Sequence, residues 1–165
     1  MVRGWFTGDG RNLCLRLPSS RLMIYRDARI EQITPRYLSH RGLPAAPRPT
    51  LVYTRTDGSD TELYGGKLTE NLVSAICRDL LAAAMLQCEA QGLPIVLHVH
   101  DEIVLEVPEA DADEALRRLL VIMSTPPAWL SGMPLRAEGF ISRRYWKSPP
   151  AGFSKLCASQ GQIIG

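Results

Sequence analysis

No run of eighteen consecutive apolar residues occurs in this sequence, and its opening Met1-Val2-Arg3-Gly4-Trp5 has no apolar stretch of the kind that drives secretion. Neither a membrane span nor an exported chain is expected, and the reading is cytoplasmic. Cysteine is scarce. Cys14, Cys77, Cys88 and Cys157 contain no C-x-x-C pair, so zinc-ribbon spacing is excluded and free thiols in a reducing compartment are expected. With three histidines in all (His40, His98 and His100), a histidine-rich metal centre has few ligands to draw on. A strong charge of one sign is also missing. The formal net charge is +2, too small to announce a nucleic-acid binder by itself.

What is present describes an ordinary globular chain. Its 165 residues are 45% apolar and 22% charged, enough for one domain with a core. Charge is distributed unevenly. Residues 1–55 hold ten arginines against Asp9, Asp27 and Glu31, and Arg136, Arg143, Arg144 and Lys147 follow near the end. Arginine's planar fork suits bidentate phosphate contacts, although a solvated basic face accounts for the same composition.

Strand-like runs open the chain: Leu13–Leu17 alternates, Pro18-Ser19-Ser20 turns, and Leu22–Tyr25 continues. Residues 35–49 carry four prolines and Gly42 and read as a loop. Leu51–Thr54 and Thr61–Tyr64 flank an Asp57-Gly58 turn and predict a hairpin. From Lys67 to about Gln91 there is no proline or glycine, and Gly92-Leu93-Pro94 supplies the stop of a long helix. Leu68, Leu72, Ile76, Leu80 and Ala83 give it an apolar stripe, while Lys67, Asn71, Ser74 and Arg78 line a polar face. A second helix is predicted over 109–124, with an acidic first turn that complements its dipole. Residues 135–147 read as a closing strand. The fold class is therefore α+β, a largely antiparallel sheet backed by two main helices.

The chemistry concentrates in Ile95–Val107, where two apolar, β-branched runs flank His100-Asp101-Glu102. The pattern is a strand, a tight reversal carrying carboxylates, and a return strand. Three readings fit it. Asp101, with Glu102 beside it, could hold Mg²⁺ for phosphoryl transfer, since hard cations prefer oxygen ligands. His98-Val99-His100 could be the H-x-H pair of a metal hydrolase, for which further ligands are needed. Or the turn is simply structural.

The wider sequence separates these readings. Val99-His100-Asp101-Glu102-Ile103-Val104 resembles motif C of the family A, polymerase I-like DNA polymerases. Tyr64–Asn71 through Arg78–Leu81 is similar to the palm helix that precedes motif C in their phage-encoded members. Leu17-Pro18-Ser19-Ser20-Arg21 with Tyr25 resembles their LPSGR-x-x-x-Y segment, with Ser20 where glycine is usual. Glu138-Gly139 and Arg143-Arg144-Tyr145-Trp146-Lys147 resemble their C-terminal strand. The resemblance covers about residues 11–147 and implies a partial polymerase palm over 1–147, while the Gly/Pro/Ser-rich composition beginning at Ser148 reads as a disordered tail over 148–165.

By this resemblance Asp101 is a ligand of catalytic Mg²⁺, Glu102 a modulating carboxylate, and His100 a neighbour of the primer terminus. Lys67, Glu70, Asn71 and Arg78 would face primer–template DNA, with Arg21 near the primer strand. The expected partners are primer–template DNA and dNTPs. Two elements of the pattern have no counterpart here. The Asp-bearing motif A is absent, and so is motif B with its triphosphate-binding Arg and Lys. Two-metal catalysis needs carboxylates from both sides, so the chain alone is expected to be inactive. A second polymerase chain could supply the missing motifs. Unfilled palm contacts also predict self-association. The alternatives are a non-catalytic DNA-binding or assembly module of prophage origin and the H-x-H hydrolase.

Overall fold

The computed structural model describes residues 2–7, 10–34, 46–146 and 153–164, and among these short alternating runs separated by tight turns give ten strands, with two α-helices. All strand pairings are antiparallel. The chain divides into two compact units, Met1–Ile76 and Cys77–Gly165.

The first unit is a five-stranded sheet in sequence order: β1 (Arg3–Phe6), β2 (Leu13–Arg16), β3 (Leu22–Ile33), β4 (Arg48–Thr54) and β5 (Asp60–Glu62). One face carries the core, where Leu15, Tyr25, Ala28 and Leu63 are buried and Leu13, Met23, Leu51 and Tyr53 pack around them. Tyr25 and Tyr53 meet edge-on at 4.8 Å between ring centroids. The loop expected over 35–49 ends earlier than its prolines suggest. Arg48–Thr50 already belong to β4, and Pro49 sits opposite Gln32. There β4 has no partner on its other side among the described residues, because β5 reaches only Val52–Thr54. A proline lacking its N–H is tolerated at such an edge. The rest of that loop, residues 35–45, lies outside the described residues.

A 26-residue helix, α1 (Gly65–Ala90), follows. Leu68 and Leu72 pack on the first core. In the second unit its buried residues are Leu81, Ala84 and Cys88. The apolar stripe therefore runs through 81, 84 and 88 there, not through Leu80 and Ala83 as the spacing predicts. By length and composition α1 would pass as a membrane span. Yet Arg78 and Asp79 fall mid-helix, where charge in hydrocarbon costs roughly 2.5–3.5 kcal/mol each.

The second unit continues with β6 (Ile95–Val99), β7 (Glu102–Leu105), α2 (Ala112–Ser124) and a three-stranded sheet of β8 (Arg136–Gly139), β9 (Leu156–Ser159) and β10 (Gln162–Ile164). The antiparallel structure is thus three sheets, not one continuous sheet. A single turn of 3-10 helix over Glu109–Asp111 precedes α2. Ala115, Leu119 and Ile122 of α2 meet Leu81, Cys88, Leu93 and Ile103 in one core. The closing strand expected over 135–147 shortens to Arg136–Gly139, and residues 143–144 bend away from it.

Residues 156–164, read from sequence as part of a disordered tail, instead form the hairpin β9–β10. Gln160 and Gly161 both take positive φ, 50° and 77°, the type I′ geometry whose twist suits a two-residue loop. Ala158 is fully buried against Leu120 and Ala137. Buried Ser124 accepts a hydrogen bond from the Gly161 amide at 3.1 Å and donates to the Leu120 carbonyl at 2.7 Å. The Gly/Pro/Ser composition of 148–155 hid this short apolar hairpin.

The turn joining β2 to β3 closes through the Ser20 amide on the Leu17 carbonyl, and Ser20 has φ 71°. A side chain in the left-handed region is strained, while glycine is not. Ser20→Gly is therefore expected to stabilise the chain by up to about 1 kcal/mol, read as a rise in melting temperature. A fall would show that the Ser20 side chain contributes more than its backbone strain costs.

Candidate functional site

Residues Val99 and Glu102 face each other across the ladder, so the β6–β7 hairpin turns in the two residues His100 and Asp101. His100 takes φ 52°, which a histidine accepts more readily than a branched residue. Because opposite residues share a face, the register assigns each side chain. Ile95, Ile103 and Leu105 join the core. His98 pairs with Ile103 on that same side, and it lines an open groove of about 510 Å³ with Arg78, Ala82 and Leu86 of α1. Leu97, Val99, Glu102 and Val104 take the other face. Asp101 is exposed at the tip.

The turn breaks the alternation that would align His98 with His100. His40, the remaining histidine, lies outside the described residues. Among the described residues no three His, Cys, Asp or Glu side chains converge as a metal centre. The tip thus offers one exposed carboxylate with a second, Glu102, next to it in sequence.

Glu102 is held from a segment remote in sequence. The Tyr145 hydroxyl donates to its Oε2 at 3.2 Å. Burial and then the Glu102 carboxylate, through that hydrogen bond and its charge, push the Tyr145 phenol above its usual value of 10.0. The approach is braced by Arg143, whose Nη2 donates to both Glu109 oxygens at 2.9 and 3.1 Å. Both groups are exposed, so the ion pair itself contributes little. Neither Tyr145 nor Glu109 was singled out from sequence as a neighbour of the hairpin. The pairing joins residues 43 positions apart, and no local pattern carries it.

The helix residues divide by role. The Asn71 amide donates to the Tyr25 hydroxyl at 3.0 Å, tying α1 to the first core. Burial raises the Tyr25 phenol, and the Asn71 bond opposes that rise. Arg21 donates to the Ala75 carbonyl at 3.1 Å. Lys67 is half-buried, while Glu70 and Arg78 are exposed.

The chain is similar to the DNA polymerase of Bacillus phage SP02. Identity is 44% over 84 residues, which cover 51% of this chain and 13% of that polymerase. The chain therefore matches a small part of its relative's length. No family model and no solved structure matches it.

Replacing Glu102 with glutamine removes the charge that opposes phenolate formation at Tyr145. In an ultraviolet titration, one tyrosine of Glu102→Gln should ionise closer to pH 10 than in the parent chain. The sign follows from the raised value: the folded state favours the protonated phenol, and that preference is lost as pH rises through its ionisation. A titration curve unchanged by the substitution would place Tyr145 away from Glu102.

Proposed function

We propose that this chain is a palm fragment of a family A, phage-type DNA polymerase, built for template-directed addition of dNMP to a primer 3′-hydroxyl. One observation carries the reading. A chain similar to a phage DNA polymerase presents Asp101 on a two-residue hairpin tip, exposed and backed by a packed core. A rigid tip restricts where the carboxylate can go, and electrostatic catalysis depends on such positioning.

In this reading Asp101 supplies an oxygen ligand to Mg²⁺, and the metal supplies charge neutralisation at the reacting phosphate. Glu102, fixed by Tyr145, tunes the field beside it. His100 stands next to the primer terminus. Lys67, Glu70 and Arg78 meet the primer–template, while Asn71 and Arg21 hold the helix that carries them. A two-metal site needs a further carboxylate facing Asp101, and among the described residues no group of three or more His, Cys, Asp or Glu side chains gathers as a metal centre. A second polypeptide bearing motif A and the nucleotide-binding motif B is the partner this requires.

A non-catalytic DNA-binding or assembly module is the second reading, favoured because among the described residues no three metal-ligating side chains converge. Primer extension on a primed template with Mg²⁺ and all four dNTPs tests both. The chain alone should bind the primed template in a salt-dependent manner and add no nucleotide. Extension that Asp101→Ala abolishes would mean this chain completes its own metal site. Failure to bind primed template at low salt would remove the polymerase reading altogether.

Self-association follows from the apolar surface. Leu86, Val96 and Leu97 are exposed around the groove beside β6, Leu86 at 71%. Among the described residues β6 pairs with β7 alone, so its other edge offers backbone groups to a partner. Light scattering should report a mass above that of the monomer. A monodisperse monomer at high concentration would count against it.

A further inference from the structure

The outer face of β1–β2–β3 carries a feature that the hairpin chemistry does not use. The registers Arg3↔Arg16↔Leu22 and Trp5↔Cys14↔Ile24 form two adjacent rows, since cross-strand neighbours share a face. This face lies opposite the one that sends Leu13, Leu15 and Tyr25 into the core. Arg26, two residues beyond Ile24, extends it. Trp5 is 40% exposed and Ile24 52%, with Cys14 buried between them. The Arg16 guanidinium lies 5.8 Å from the centre of the Trp5 ring, within cation–π range.

The acidic groups described nearby are engaged by other arginines. Asp27 pairs with Arg11 at 3.6 Å, and Glu31 and Asp60 both pair with Arg29. Among the described residues Arg3, Arg16 and Arg26 have no ion pair. Arg3 and Arg16 stand directly opposite each other, an arrangement that costs stability on a sheet. A polyanion laid across the face would relieve that repulsion. A half-exposed indole adds what a general polyanion site has no need of, a flat π-surface on which a base can stack.

We propose that this face binds single-stranded nucleic acid, with a base stacked on Trp5 and backbone phosphates held by Arg3, Arg16 and Arg26. The inference deepens the polymerase-fragment reading, and the choice of nucleic acid over other polyanions rests on that reading together with Trp5.

Fluorescence anisotropy of the full chain with a labelled oligothymidylate of about 15 nucleotides tests it. Trp5→Ala should weaken binding by about 5- to 150-fold, the loss of one stacked base, with Trp5→Phe in between. Arg3→Ala and Arg16→Ala should each flatten the salt dependence by a slope of about 0.7. Arg3→Ala should also leave the melting temperature equal or higher, because it removes a like-charge pair; a purely structural arginine would lower it. Arg117→Ala, exposed on α2, serves as the control and should bind as the parent does. The proposal is overturned if the parent chain does not bind, if Trp5→Ala binds as tightly as the parent, or if anionic lipid vesicles are preferred to the oligonucleotide. Oligonucleotide binding through Trp5 without binding of primed template would sink the polymerase reading and leave this face standing. The converse pattern would do the reverse.

Discussion

The period-two alternation of antiparallel strands, locked by tight turns, sets which side chains this protein buries and which it offers. In β6–β7 the two-residue loop pairs Val99 with Glu102, and that register alone sends Ile103 and Leu105 inward while Asp101 is carried to the tip. In β2–β3 the turn closed by Leu17 and Ser20 pairs Cys14 with Ile24 and Leu15 with Met23. A slip of one residue in either place would exchange the two faces completely. Leu15 and Tyr25 would then enter solvent, and Ile24 and Arg16 would enter the core. The apolar core and the offered chemistry are therefore two consequences of one constraint.

That constraint is enforced at some cost in backbone strain. Ser20 and His100 both adopt φ values that favour glycine. At such a turn a left-handed residue costs on the order of 1 kcal/mol, a sizeable part of a marginal stability. Both stand at reversals whose register decides exposure. The Glu102–Tyr145 bond adds a further restraint, holding a carboxylate that would otherwise sample rotamers beside Asp101. Sequence-remote contacts of this kind convert an acidic turn into a positioned one.

Much of this is legible in the sequence. The α+β class, the long helix and its Gly-Leu-Pro stop, and the hairpin around His100-Asp101 follow from periodicity and turn chemistry, which are local. The disordered tail was misread because Gly, Pro and Ser at 148–155 dominate the composition, while Ala158 needs only one small side chain facing Leu120 to become buried. The closing strand was overextended because Arg143–Trp146 looks strand-like, yet Arg143 is drawn to Glu109. The helix stripe shifted because α1 serves one core through Leu68 and Leu72 and another through Leu81, Ala84 and Cys88. A stripe set by Leu68 and Leu72 does not carry over to Leu81, Ala84 and Cys88. The rows on β1–β3 escaped notice because arginine and tryptophan on one face emerge only from cross-strand register.

Binding and catalysis place unequal demands on such a chain. Attraction of a polyanion needs only positive charge distributed over a face, and it tolerates displacements of several ångströms because the field varies slowly. Two-metal chemistry needs opposed carboxylates held to about half an ångström. Among the described residues Arg3, Arg16 and Arg26 have no ion pair and lie on one face of an ordered sheet. Asp101 is exposed at its hairpin tip, with Glu102 next to it in sequence. Affinity and nucleotidyl transfer are thus separable in the proposed reading: the first needs only the charged face, the second a carboxylate brought to face Asp101.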